Sequence, residues 1–224
     1  MAANATFSDS GQRTKQDDED SIIVIEKKDI QVGVERCSRS LVGRLWADKQ
    51  FSVGTIEPAM QAIWRQPEGF KVIDHGGNVF QFFFQDERDV IRIERGAPWL
   101  FKNYILNLKW WKEDEHIGDL DFTQVPMWIQ FWGLPEHYKT KDLGWKLGCS
   151  FGDVLDVDIF QVRGKEHSIV KVQVSLAITR PIKRSLRIVG PNNKVLEVGL
   201  KYERIGNFCN YCGYVGHEAR MCSF

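Results

Sequence analysis

Cys209, Cys212, His217 and Cys222 are the residues of this chain best suited to chemistry. Two residues separate the first two cysteines, four separate Cys212 from His217, and four more separate His217 from Cys222. Three thiolates and one imidazole close a tetrahedral shell around Zn²⁺. Such a shell has no open position for water or substrate, so the ion it implies is structural and not catalytic. The loop is too short to bury a core of its own, and a bound metal would have to supply its folding energy. Gly213 and Gly216 fall where the backbone must turn tightly around the ion, and glycine accepts such dihedrals without steric cost.

This spacing resembles the retroviral-type zinc knuckle, a small module that grips single-stranded nucleic acid. The resemblance implies that Tyr211, Tyr214 and Met221 stack on unpaired bases and that Arg220 contacts a phosphate. Packing inside the loop, or against the domain before it, is the alternative use of Tyr211 and Tyr214.

The elements that must carry this loop occupy the rest of the 224 residues, enough for one large domain or two small ones. A hydrophobic fraction of 43% argues for folded structure over most of the length. No run of about 18 apolar residues is present, which excludes a membrane-spanning helix. The acidic start, Met1 to Asp20, lacks the apolar stretch of a secretory signal. Cys37 and Cys149 remain as reduced thiols, so the expected compartment is the nucleus or the cytoplasm. A formal net charge of zero hides an asymmetry: from Gln161 onward there are 11 Lys and Arg against 4 Asp and Glu. A basic C-terminal third next to a metal loop is an electrostatic footprint for polyanions.

Residues 1–20 read as a disordered acidic leader and Ser21 to Ile25 as a short edge strand. Within 21–112, Leu41 to Trp46 reads as a strand, and Ile56, Met60, Ile63 and Trp64 recur at helical spacing. Phe70 to Ile73 and Val79 to Phe84 flank a Gly76-Gly77-Asn78 turn, a helix runs from Asp86 to Arg95, and Tyr104 to Trp110 is the last strand. The order β-α-β-β-α-β is the split βαβ, ferredoxin-like arrangement of RNA-recognition motifs. Phe80, Phe82 and Phe84 share one face, and core packing is the use expected of them. Residues 113–124 read as an acidic linker. In 125–205 the pattern restarts as β-α-β-β-turn-β-β, with the second helix reduced to a stub near Thr179 to Ser185, and 206–224 is the metal loop. The fold class expected is α+β, two RRM-like split-βαβ sheets in tandem followed by a small knuckle.

Gly96-Ala97-Pro98-Trp99, Trp110-Trp111, Trp128 to Pro135 and Tyr202-Glu203-Arg204 resemble a plant family that pairs a domain of unknown function with a Cys-x2-Cys-x4-His-x4-Cys knuckle. That family occurs in the first open reading frame of LINE-type retrotransposons and in related Gag-like proteins. The resemblance implies a nucleic-acid-binding, chaperone-like coat protein for element RNA. Gln130 stands where typical RNA-recognition motifs place a first-strand aromatic, flanked on the same face by Trp128 and Trp132.

The function expected is a non-enzymatic binder of single-stranded nucleic acid, RNA favoured over DNA, with one structural Zn²⁺ and no membrane or small-molecule partner. Lys201, Arg204, Arg184 and Arg187, beside the loop in sequence, would neutralise phosphates. Two other classes compete with it. One is a self-associating module with Trp99, Trp110, Trp111, Trp128 and Trp132 at an interface. The other is a metal-dependent nuclease built on Asp153, Asp156 and Asp158.

Overall fold

The structure, a computed structural model, describes residues 23–161 and 168–223. The acidic leader expected over residues 1–20 lies outside them. The chain forms two five-stranded antiparallel sheets whose strands follow one another in the same order.

The first sheet is built from β1 (Ser40–Trp46), β2 (Lys71–Asp74), β3 (Val79–Phe83), β4 (Trp99–Phe101) and β5 (Tyr104–Trp110), arranged β2-β3-β1-β5-β4. Its helices are α2 (Val53–Ile63) and α3 (Glu87–Arg95), preceded by α1 (Lys27–Ser38). Without β4, strand order and helix positions are those of a split βαβ fold. Leu41, Leu45, Phe80, Phe82, Leu106 and Leu108 are buried in one core with Ile56, Met60 and Trp64 of the α2 region and Val90 and Ile93 of α3. Phe80, Phe82 and Phe84 are therefore core, at 0%, 0% and 5% exposure. Trp64 packs edge-on to Phe82 with ring centroids 5.1 Å apart. The charged stretch from Asp86 becomes a helix because Asp86 caps it, its carboxylate accepting the Arg88 N–H, while Val90 and Ile93 share the buried face.

Alternation puts Ile105 and Asn107 on the opposite face of β5. Asn107 is buried there and donates to the carbonyls of Phe122 and Gln124, at 2.9 and 2.8 Å, so the segment between the sheets crosses this face. Ile105 belongs to the core of the second sheet, and Trp46 and Leu100 pack against that core.

The second sheet comprises β6 (Gln124–Trp132), β7 (Gly152–Gln161), β8 (Ser168–Ala177), β9 (Ser185–Val189) and β10 (Val195–Tyr202), ordered β7-β8-β6-β10-β9. Its one α-helix, α4 (Lys141–Gly148), lies on β7 and β8. It comes very close because Gly144 and Gly148 face the sheet. A Cβ on Gly144 would lie 2.7 Å from Val157, and one on Gly148 would lie 2.6 Å from Val172. No helix joins β8 to β9. The connection instead buries Ile178 and Ile182 in the second core. The helical stub expected near Thr179 to Ser185 is therefore an irregular connection, with Pro181, which has no N–H to donate, in its middle.

Two further elements depart from the sequence reading. Ile23, Val24 and Ile25 form no strand and are exposed. The chain turns at Glu26 into α1, where Glu26 and Asp29 cap each other in a capping box. The second departure is β4, a three-residue strand that adds an outer edge to the first sheet by pairing with β5 through the Lys102-Asn103 turn.

Replacing Gly144 with valine is expected to push α4 off β7 and β8 and lower the stability of the chain by about 1–3 kcal/mol, as overpacking does. Urea unfolding of the two proteins side by side checks this; an unchanged midpoint would show that the helix does not need the close approach.

Candidate metal centre and its seat

The metal loop leaves β10 through a segment tied down at each step. The Glu203 N–H donates to the Trp128 carbonyl at 2.9 Å, and Gln130 Nε2 donates to the Glu203 carboxylate at 2.7 Å. Arg204 donates through Nη1 to the Gly96 carbonyl at 2.6 Å and lies over the Trp99 ring. The Asn207 N–H then donates to the Asn103 carbonyl at 2.6 Å, and the two asparagine side chains hydrogen-bond to each other.

Inside the loop, Phe208 and Val215 form a β-bridge. Cys209 N–H donates to the Tyr214 carbonyl and Gly213 N–H to the Cys209 carbonyl, both at 2.8 Å. Gly213 and Gly216 have φ of +81° and +92°, conformations that a side chain would strain. The ligand atoms of Cys209, Cys212, His217 and Cys222 all lie within 4.8 Å of one another. His217 Nε2 is 3.4 Å from Cys212 Sγ.

This donor set fits Zn²⁺. Zn–S bonds of about 2.3 Å and a Zn–N bond of about 2.0 Å hold four tetrahedral ligand atoms within roughly 4 Å of one another. Cys209 is fully buried, and its Sγ accepts the N–H groups of Tyr211 and Cys212 at 3.3 and 3.5 Å. Burial pushes its thiol up, but those two N–H groups and the neighbouring thiols of Cys212 and Cys222 outweigh it and bring the pKa down to about 6. The thiolate is the form that binds metal.

Both sheets hold the loop. From the first, the Asp48 N–H donates to the Gly216 carbonyl at 3.1 Å. Asp48 is itself held by the Tyr104 hydroxyl, which donates to its Oδ1 at 2.9 Å. Burial and this hydrogen bond to the Asp48 carboxylate raise the Tyr104 pKa above the usual phenol value. From the second sheet, the Ile182 N–H donates to the Gly213 carbonyl at 2.9 Å, Arg184 donates to the Asn210 carbonyl at 2.5 Å, and Val215 packs into the second core. The glycines make this contact possible. A Cβ would lie 3.2 Å from the Trp46 carbonyl oxygen at Gly216, 3.1 Å from Pro181 at Gly213, and 2.4 Å from the Asn103 carbonyl oxygen at Gly206.

The side chains expected to bind nucleic acid fall into three groups. Tyr211 and Met221 stand out from the metal loop at 75% and 65% exposure. Arg220 is beside Met221, exposed and ion-paired with Glu218 at 2.9 Å, whereas Tyr214 is half-buried in the turn. Arg184 and Arg204 direct their guanidinium groups at protein carbonyls and act as ties. Lys201 and Arg187 lie on the exposed face of the second sheet, opposite Gln130 and Glu197. The structure therefore does not gather the four basic residues into one patch around the metal loop. Trp128 and Trp132 are half-buried on that same sheet face, with Lys171 Nζ 4.5 Å from the Trp128 ring centroid.

Of the three aspartates considered for a nuclease, Asp158 pairs with Lys171 at 3.5 Å and Asp156 accepts the N–H of Val157. Among the described residues, the cysteine–histidine group is the one cluster of three or more side chains suited to a metal ion.

The Gly206→Val variant, which leaves all four metal-binding side chains in place, is expected to unseat the loop. Amide exchange at Asp48 and Ile182 should then accelerate by about 5- to 150-fold, following the loss of two backbone hydrogen bonds of about 0.5–1.5 kcal/mol each. Unchanged protection at both amides would mean that the seat does not depend on this approach.

Comparison with known proteins divides the chain in two. Residues 33–118 match the model of a family described as a domain of unknown function, DUF4283, and residues 176–224 match that of a zinc knuckle. No curated protein matches the sequence. Two solved structures are similar at 13% identity: an Sxl-lethal protein–RNA complex and the Sex-lethal RNA recognition domains 1 and 2 from Drosophila melanogaster. The first covers 62% of this chain and 83% of its own with a TM-score of 0.28; the second covers 61% and 85% with a TM-score of 0.26. The fold assignment rests on strand order and not on these two likenesses. The zinc-knuckle match begins at Leu176, so it takes in the Ile182 and Arg184 contacts as well as the loop they hold. Residues 33–118 are thus similar to the DUF4283 family, and residues 176–224, with the cysteine–histidine cluster, to a zinc knuckle.

Proposed function

We propose that this protein is a zinc-dependent, non-enzymatic binder of single-stranded nucleic acid, RNA in the first place, serving as a Gag-like coat or chaperone. The observation that carries this reading is a closed Cys₃His loop with Tyr211 and Met221 exposed beside its metal-binding residues. Cys209, Cys212, His217 and Cys222 would hold one Zn²⁺, which fixes the loop and takes no part in bond making. An exposed ring and a thioether on a rigid loop offer flat apolar surface to unstacked bases. Bases paired in a duplex keep their faces covered, so unpaired strands are the preferred ligand. The pairing of the two matched families supports the Gag-like assignment, as does the resemblance of the Trp128 to Pro135 segment.

A second reading, a self-assembling module, has one observation in its favour. Because the second sheet lacks a helix between β8 and β9, an apolar groove of about 620 Å³ remains beside α4, lined by Tyr138, Leu143, Leu147, Leu186 and Ile188.

Fluorescence anisotropy with labelled single-stranded RNA, with light scattering on the same samples, separates the two readings. The zinc-loaded protein should bind the single strand more tightly than a duplex. Tyr211→Ala should lose about 1–3 kcal/mol of that affinity, and a chelator should abolish the preference. Large particles formed without RNA, together with no RNA complex, would favour assembly and overturn the binding proposal.

A further inference from the structure

Between the knuckle and the first sheet is a cleft of about 420 Å³. Asn207, Glu218, Arg220 and Met221 line one side, and Asp48, Lys49, Lys102 and Tyr104 the other. We infer that Lys49 and Lys102 form a phosphate-binding floor in this cleft, so that the nucleic-acid site is composite and continues from the knuckle onto the first domain. The inference rests on the single-strand reading above and extends it to residues far from the knuckle in sequence.

The two ammonium groups converge on one small aromatic surface. Lys49 Nζ lies 5.4 Å from the centroid of the Phe51 ring and 5.8 Å from that of Tyr104. Lys102 Nζ lies 5.5 Å from the same Phe51 ring and 5.6 Å from Phe101. Phe51 packs edge-on to Phe101, with centroids 5.1 Å apart, so the platform under both cations is itself packed. Two like charges on one platform repel each other, and an anion between them relieves that repulsion. Among the described residues neither lysine has a carboxylate ion pair. The two acids in the cleft are engaged by other groups that line it, Asp48 by the Tyr104 hydroxyl and Glu218 by Arg220. With Arg220 the lining groups carry three positive charges against two negative.

Both lysines are also held in place by the fold. Asn78, almost fully buried, donates through Nδ2 to the Lys49 carbonyl at 2.7 Å and accepts the Phe51 N–H at 2.9 Å. Lys102 occupies the two-residue turn between β4 and β5 with φ of +47°, next to Asn103 at +65°. Asparagine and glycine adopt that region readily and lysine does so at a cost. Here the turn brings a lysine to the platform while Asn103, beside it, anchors Asn207 of the knuckle. One turn therefore fixes the distance between the basic floor and the metal loop. A strand stacked on Met221 would bring its backbone phosphates over Lys102 and Lys49, with Arg220 on the knuckle side.

The test is RNA binding by the zinc-loaded full chain across a salt series. It compares the wild type with Lys49→Gln/Lys102→Gln and with a control, Lys28→Gln/Lys112→Gln, that removes the same charge from exposed sites. All four lysines are exposed, and equal zinc content and thermal unfolding verify that each variant is folded. Loss of two phosphate contacts should flatten the slope of log K against log salt by about 1.4 and weaken binding roughly three- to tenfold at moderate salt, with the control unchanged. Wild-type binding with an unaltered slope in the cleft variant, or an equal loss in both variants, would overturn the composite site and leave the knuckle reading intact. No binding by the wild type at any salt would overturn both.

Discussion

The architecture depends on the way the metal loop is wedged between the two sheets. Its turns at Gly213 and Gly216 offer their carbonyls to the backbone N–H groups of Ile182 and Asp48, one from each half of the chain. Asn103 and Asn207 add a third tie, and Val215 a small apolar contact with the second core. Each bond alone is worth little, but all act on one loop in which four cysteine and histidine side chains converge. Ordering the loop therefore also orders the contact between the halves. Exposed Tyr211 and Met221 therefore stand on a loop that is tied to both halves of the chain.

The two sheets share a strand order but differ in what covers them. In the first, α2 and α3 bury a phenylalanine-rich face. In the second, α4 alone approaches, on two glycines, and Ile178, Ile182 and the Ile105, Leu100 and Trp46 surface of the first sheet cover part of the face beside it, leaving the groove at Leu186 and Ile188 open. That arrangement has a functional consequence. A full helix between β8 and β9 would occupy the chain that now reaches the loop, while an irregular connection leaves the Ile182 N–H and the Arg184 guanidinium free to hold it.

Much of this was legible in the amino-acid order, and the exceptions have physical causes. The cysteine–histidine cluster and the order of strands follow from local spacing and periodicity, which act within a few residues, whereas the stub expected near Thr179 to Ser185 is not helical. The apolar run ending at Ile25 has strand-like composition, but composition does not supply a neighbouring strand to pair with, and the helix that follows is announced only by the unusual Glu26–Asp29 box. β4 is too short to show a period. Arg184 and Arg204 read as phosphate contacts because a positive charge beside a knuckle suggests one; their carbonyl partners, Asn210 and Gly96, lie 26 and 108 residues away. The Asn103–Asn207 tie spans 104 residues for the same reason, and Lys49 and Lys102 carry no local signal.

A metal ion closing the Cys₃His loop is what the proposed function requires first. Zinc quantification together with X-ray absorption at the zinc edge, on the protein purified without added metal, addresses it directly. One zinc per chain with three sulfur neighbours near 2.3 Å and one nitrogen near 2.0 Å is expected. Substoichiometric metal, or a shell dominated by oxygen, would contradict it.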